Sequence, residues 1–382
     1  MRPGTTSARR RLAALALLAA LVTVMAGCGD DRQDVFTPEG GPAETINKLQ
    51  VPVFLAAGVV GLVVAAGLVY VLMSGSRRAK GDDDPVQIHG NFKLEIAWTI
   101  GPALILAVVA VGTVATLFDL DAEAKDQPAE ITVYGQQWWW SYEYELDNNP
   151  DNGPEIITAN DLVIPAGVPF QFKLESRDVI HSFWIPSLNG TRDVVPGRTH
   201  TMLMQADEPG VYEGQCKEFC GLSHANMRAR VVALSESEWE TWLDQQQTEA
   251  SATPGDPQAA AGLEVFLARC AICHQIDGVT PDVEGEADLV SRVAPNLTHF
   301  MSRGVFASGL YPLYDNQGEV NRPVLEQWLR NPESLVPQSP GERRGMPNLG
   351  LSEDEIDQLV AYLETLGPRN PGPQNPEDEE AR

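Results

Sequence analysis

Residues 216–227 read Cys216-Lys-Glu-Phe-Cys220-Gly-Leu-Ser-His224-Ala-Asn-Met227, and a second imidazole, His181, lies upstream in Val179-Ile-His-Ser-Phe-Trp-Ile-Pro186. Thiolate and thioether sulfur suit Cu(I) and imidazole serves either oxidation state, so this donor set points to copper. A mononuclear electron-transfer site uses one thiolate. Two thiolates four residues apart on a turn can both face inward and bridge a pair of coppers, with one histidine for each metal. Charge shared by two metals implies little geometric change on gaining an electron, which rapid transfer requires. Taken singly, Cys216 and Cys220 read equally well as a disulfide, and His181 and Met227 as core residues. The joint C-x3-C-x3-H-x2-M pattern with an upstream histidine is narrower, and it favours a metal provided the setting is β. Around it, runs at 131–134 and 169–174 are broken by turn signals such as Pro165-Ala-Gly167, the pattern of a small β-sandwich or barrel.

The 382 residues exceed one small domain and suggest two or three units at about 150 residues each. Lys and Arg number 27 against 53 Asp and Glu, a net charge of −26. That sign excludes nucleic acid, whose phosphates require a basic face. It suits a basic protein donor, or is simply solvated surface.

At the N-terminus, Arg9-Arg-Arg11 precede an apolar run that ends in Ala26-Gly27-Cys28, the build of an export signal over residues 1–28. Met25-Ala-Gly-Cys28 resembles a bacterial lipoprotein signal, with Cys28 as the lipidated first residue. Ordinary cleavage nearby and retention as a third helix are the alternatives. Residues 49–76 and 96–118 carry no charge and pass the length of about 20 residues that a bilayer demands. They predict a transmembrane hairpin at 45–120, with helices near 50–74 and 96–118. Arg77, Arg78, Lys80 and Lys93 lie between the two, so the connecting loop is cytoplasmic and everything after Asp119 is outside. The four cysteines beyond Cys28 form two close pairs, a spacing that favours metals and cofactors.

Residues 244–262 contain no Leu, Ile, Val or aromatic side chain and read as a linker. After it, helical signals dominate. Ser352 with Glu355 forms a capping box before Ile356, Leu359, Val360 and Leu363, Gly367-Pro368 is a stop, and a shorter helix is expected over 323–330. The tail at 368–382 is Pro-rich and acidic and is expected to be disordered. Cys270-Ala-Ile-Cys273-His274 is the attachment motif of a c-type haem: two thiols add to vinyl groups and the histidine ligates iron. A redox dithiol lacks its thioredoxin-like setting here, and a zinc half-site lacks a second ligand pair. Met346, in Gly-Met-Pro just before the terminal helix, is the expected sixth ligand. Met301 reads as structural and His299 as a packing or hydrogen-bonding residue.

The stretches GQCKEFCGLSHANM, HSFWIPSL, Asp193-Val-Val-Pro-Gly-Arg198 and Gly135-Gln-Gln-Trp-Trp-Trp-Ser-Tyr-Glu-Tyr144 resemble subunit II of the haem-copper cytochrome c oxidases. The resemblance implies a cupredoxin-like barrel at 128–235 with a binuclear CuA centre of two copper ions. The implied ligands are His181, Cys216, Cys220, His224, Met227 and the backbone carbonyl of Glu218. It further implies a role for the Glu218 side chain in a magnesium or manganese site facing subunit I, and Trp138 as the point where electrons arrive, Trp139 and Trp140 being packing. Residues 91–102, NFKLEIAWTIGP, resemble the start of the family's second helix, where Glu95 matches a proton-uptake acid; a solvated interfacial charge is the alternative.

A class I cytochrome c domain at 263–367 resembles the oxidases whose subunit II carries a fused cytochrome c. The expected fold is therefore multidomain: a transmembrane hairpin, an all-β cupredoxin-like barrel and an all-α cytochrome domain. The implied function is electron transfer from haem c, held by Cys270, Cys273, His274 and Met346, to CuA and on to an oxygen-reducing subunit I. Subunit III and an upstream cytochrome bc complex or soluble cytochrome are the further partners, on the outer face of a bacterial cell membrane. A flexible linker would raise the effective concentration of donor beside acceptor. CuA-containing nitric oxide and nitrous oxide reductases, a quinol oxidase subunit that has lost copper, and a stand-alone electron carrier or copper store are the alternatives.

Overall fold

The computed structural model describes residues 33–78, 90–121, 127–147, 153–251, 253–280, 293–338 and 344–369. The export signal with Cys28 and residues 370–382 of the tail lie outside them. Helices α1 (Gly41–Arg78) and α2 (Phe92–Leu120) pack on each other and are long and apolar enough to cross a membrane. Both overrun the charge-free stretches. The first turns of α1 carry Glu44 and Lys48, paired at 3.0 Å, and they dock on the domain that follows through Ala43 N–H to Leu188 O at 3.2 Å. Hydropathy reads the span that lipid requires, not the full helix.

The β domain has a five-stranded sheet in the order β3 (Ile156–Ala159), β2 (Trp139–Glu145), β1 (Glu130–Gln136), β5 (Phe170–Ser176) and β8 (His200–Met204). Facing it is a sheet of β4 (Asp161–Pro165), β10 (Arg228–Leu234) and β9 (Gly210–Gln215), and β6 (His181–Trp184) pairs with β7 (Thr191–Val194). Ile131, Val133, Phe170, Phe172 and Leu174 recur at every second position and fill the core. The Tyr144 hydroxyl pins the sheets together, accepting from Val163 N–H and donating to Val163 O, both at 2.9 Å. Helix α3 (Glu236–Gln246) closes the domain, stacking Trp239 and Trp242 beside Tyr144.

The last domain is built on α4 (Pro257–Arg269), α5 (Arg322–Arg330) and α6 (Glu353–Leu363), with a two-stranded element of β11 (Val305–Phe306) and β12 (Tyr311–Pro312). Ser352 and Glu355 form the expected capping box of α6.

The stretch read as a linker is corrected. Residues 244–246 belong to α3 and 257–262 to α4, leaving 247–256. Small residues there are a packing device: a Cβ at Gly262 would lie 2.0 Å from Gln358 O, so only glycine lets α4 approach α6 this closely. Nor does the cytochrome domain swing on a loose tether. Ala250 N–H donates to Asp277 O at 3.0 Å, and Gln246 Nε2 to Ser302 Oγ at 3.0 Å. The β domain binds the cytochrome domain through Arg228 N–H to Ser308 O at 3.0 Å, Gly304 N–H to Asp161 Oδ2 at 2.6 Å and Ser223 Oγ to Pro337 O at 2.5 Å. The first residues of the supposedly disordered tail are held too, Arg369 pairing with Glu319 and Glu364, each at 3.5 Å.

Candidate metal centre and cofactor cavity

Strand β6 begins at His181, and the loop between β9 and β10 carries 216–227, so two chain ends of the sandwich bring the donors together. Cys216 Sγ and Cys220 Sγ are 3.9 Å apart, His181 Nδ1 is 3.9 Å from Cys216 Sγ, and His224 Nδ1 is 3.6 Å from Cys220 Sγ. Met227 Sδ lies 3.9 Å from Cys220 Sγ, and the Glu218 carbonyl 3.3 Å from Cys216 Sγ. Metal–sulfur bonds of about 2.3 Å meeting near the tetrahedral angle hold ligand atoms about 3.7 Å apart, so these separations suit shared metals. The cysteines are free thiols, not a disulfide. Cys220 hydrogen-bonds Cys216 and stabilises its thiolate, which holds Cys216 down at about 4 despite burial, and Cys220 is pushed above the ordinary thiol range. One proton is shared by two sulfurs, and a cation would displace it.

Sequence reasoning missed Asp178. Its carboxylate meets His181 Nε2 at 2.8 Å and accepts Gln137 N–H and Val179 N–H at 2.8 and 2.7 Å. Burial works against the imidazolium, yet the hydrogen bonds to Asp178 and Cys216 raise His181 above its usual value. A carboxylate on the far ring nitrogen fixes the tautomer that offers Nδ1 to a metal. The only signal was an acid three residues before a histidine. Gly135 leaves room for this ring, since a Cβ there would sit 2.9 Å from His181 Cδ2.

A second site is a cavity of about 240 Å³ lined by Cys270, Cys273, His274 and Met346. His274 Nδ1 is 2.8 Å from the Pro295 carbonyl, which only accepts, so Nε2 remains as the ligand lone pair. Gln338 Nε2 donates to Met346 O at 2.7 Å and holds that loop. Met301 is fully buried away from the cavity, and His299 Nε2 meets Gln246 O at 3.0 Å. Trp138, Trp139 and Asn160 of the β domain also line the cavity. Trp139 is buried, and Trp140 is fully buried against the rings of His181 and Phe183. A mostly apolar slot with two thiols and one free imidazole nitrogen fits a covalent haem.

Three family models match the chain: cytochrome c oxidase subunit II, transmembrane domain, over 33–115; its periplasmic domain over 129–234; and cytochrome c over 259–367. Cytochrome c oxidase subunit 2 of Alkalihalophilus pseudofirmus is 34% identical over 358 residues, covering 91% of this chain and 95% of that one. The chain belongs to the cytochrome c oxidase subunit II family. Another subunit 2, from Bacillus subtilis, is 31% identical over 366 residues, covering 92% and 96% of the two chains. The solved periplasmic domain of subunit II of Bradyrhizobium japonicum cytochrome oxidase is 27% identical, covers 33% of this chain and 97% of that one, and has a TM-score of 0.30.

Membership makes this chain a subunit of a cytochrome c oxidase, with the oxygen-reducing site in another subunit. Its fused cytochrome c domain, two membrane helices and cupredoxin-like domain agree with that membership. The remaining predicted residues lie apart from the metal cluster. The exposed Glu218 side chain extends from the copper loop, and the Glu95 carboxylate accepts Asn91 N–H at 3.2 Å at the start of α2.

Proposed function

We propose that the chain passes electrons from a covalent haem c to a binuclear CuA centre, and from there to the oxygen-reducing centre of subunit I. Bound, the haem iron and the copper pair supply reversible one-electron chemistry. Cys270 and Cys273 anchor the porphyrin, and His274 and Met346 ligate its iron. His181, Cys216, Cys220, His224, Met227 and the Glu218 carbonyl hold the coppers.

One observation carries this reading. Trp138 lines the haem cavity and its Nε1–H donates to the Cys220 carbonyl at 3.1 Å, so a single side chain spans both sites. Gln137 Nε2 reaches the same carbonyl at 2.7 Å. On the copper loop and the turn before His181, Phe219, Leu222 and Ile180 are exposed, an apolar surface that suits subunit I.

In the same reading, the Glu218 carboxylate takes a magnesium or manganese ion shared with subunit I, and Glu95 takes up protons at the inner end of α2. Subunit III completes the complex, and a cytochrome bc complex or a soluble cytochrome supplies the electrons. The two outer domains face the outside of the bacterial cell membrane, a reading supported by the basic residues Arg77, Arg78, Lys80 and Lys93 between the two charge-free stretches.

Metal analysis and spectroscopy of the purified full chain test the proposal. Cys216→Ser should abolish a mixed-valence copper signal shared by two nuclei and leave covalently retained haem bands intact. Finding Cys216 joined to Cys220, with no copper in native protein, would overturn it.

A further inference from the structure

Resting on the haem reading above, we propose that the copper domain supplies part of the haem site, with Asn160 hydrogen-bonding a haem carboxylate across the domain seam opposite Arg303. Most of the cavity lining is apolar or committed to covalent attachment and ligation. Among its lining residues, the buried polar side chains outside that set are Asn160, Arg303 and Ser308. Asn160 belongs to the turn between β3 and β4. It is held in the left-handed region at φ 68° by its backbone N–H to Trp140 O at 3.1 Å, and its Oδ1 is buried without a partner.

Arg303, from the other domain, is just as buried. One guanidinium nitrogen donates to Asn296 O, and its Nε has no partner. Burial pushes this guanidinium down to about 10, with Asp161 opposing the shift. That carboxylate accepts Gly304 N–H at 2.6 Å through Oδ2, and its Oδ1 faces Arg230 Nε at 3.6 Å, an ion pair without a hydrogen bond. A buried cation with a spare N–H is costly, so the cavity calls for an anionic acceptor, and Asn160 can meet the same group through its NH2 once its unpartnered Oδ1 is flipped away. Haem has two such groups, its carboxylates, and is otherwise apolar apart from its iron. The amide can turn either end to the group it meets.

The consequence is that haem is bound by both domains at once, so its occupancy favours the docked arrangement by mass action. The copper domain also sets part of the electrostatic environment of the haem.

The test uses the assembled oxidase and reads the haem c midpoint potential against pH, together with Soret circular dichroism and the copper signal. Asn160→Asp places a second carboxylate beside the haem carboxylate. It should lower the potential, by an amount that grows as pH rises through the titration of the new acid. Arg303→Gln, made alone and combined with Asn160→Asp, should show non-additive shifts, because both side chains would contact one carboxylate. A potential and Soret spectrum unchanged by Asn160→Asp, or strictly additive shifts, would overturn the shared site while leaving the function proposal intact. Absence of covalent haem from the unmutated oxidase would instead sink that proposal and this one together.

Discussion

The indole Nε1–H of Trp138 donates to the backbone carbonyl of Cys220 at 3.1 Å, tying the wall of the haem cavity to the loop that carries the copper ligands. Trp138→Phe keeps an aromatic ring there and removes the donor. Gln137 still satisfies the carbonyl, so the loss in stability should be only about 1 kcal/mol. Rapid-mixing spectroscopy should show haem reduction at the original rate and slower reduction of copper.

Asp178 orients His181 from behind. Asp178→Asn removes the anionic acceptor, and copper affinity should fall about 10- to 100-fold, as for other partners of metal-bound histidines. Competition with a copper chelator measures the change, and retention of wild-type affinity would show that His181 needs no such partner.

Helix α4 meets α6 at Gly262. Gly262→Ala gains helix propensity, but the added methyl would sit 2.0 Å from Gln358 O, and overpacking of this kind costs about 1–3 kcal/mol. Thermal melting of the haem-loaded chain should move downward.

Met346 and Met301 separate cleanly. Met346→His should lower the haem potential in a redox titration. Met301→Leu, a near volume-conserving change at a buried position off the cavity, should leave the potential in place and cost less than about 1.5 kcal/mol. The opposite pattern would reassign the ligand.

His299 should make the junction between the outer domains acid-sensitive. Burial lowers its proton affinity most, the Gln246 carbonyl opposes the shift and Arg303 adds to it, leaving the folded value below the usual one. The unfolded chain therefore binds the proton first as pH falls through about 6.5, and folding stability drops until the folded value is passed. Melting curves between pH 7 and 5 should show this slope, and His299→Gln, which keeps a donor for Gln246 O, should flatten it.

Much of the two sites was legible because their chemistry is local. Four side-chain donors of the proposed copper site lie within twelve consecutive residues, and the three residues of the haem attachment motif within five, so residue type and spacing define them before any folding is considered. His181 was legible only as an upstream imidazole completing the donor set, since no local spacing links residue 181 to residue 216. Asp178 and Asn160 were not legible as site residues, because an acid or an amide on a turn serves equally well in solvent. The linker was misjudged for a related reason. Composition registers large apolar side chains, whereas Ala259 and Gly262 contribute by allowing backbones to approach.

The amino-acid sequence by itself determined the order of parts in this subunit II: two lipid-length apolar helices, a β domain with a sulfur–imidazole cluster, and a helical domain with a haem attachment motif. Those features follow from hydropathy, periodicity and ligand chemistry, each readable within a short window of chain. Only the tertiary structure decided that the cytochrome domain is docked, with Trp138, Trp139 and Asn160 of one domain facing Cys270, His274 and Arg303 of the other. Such contacts join residues more than a hundred positions apart, and they are set by packing and the pairing of buried polar groups, which no local pattern encodes.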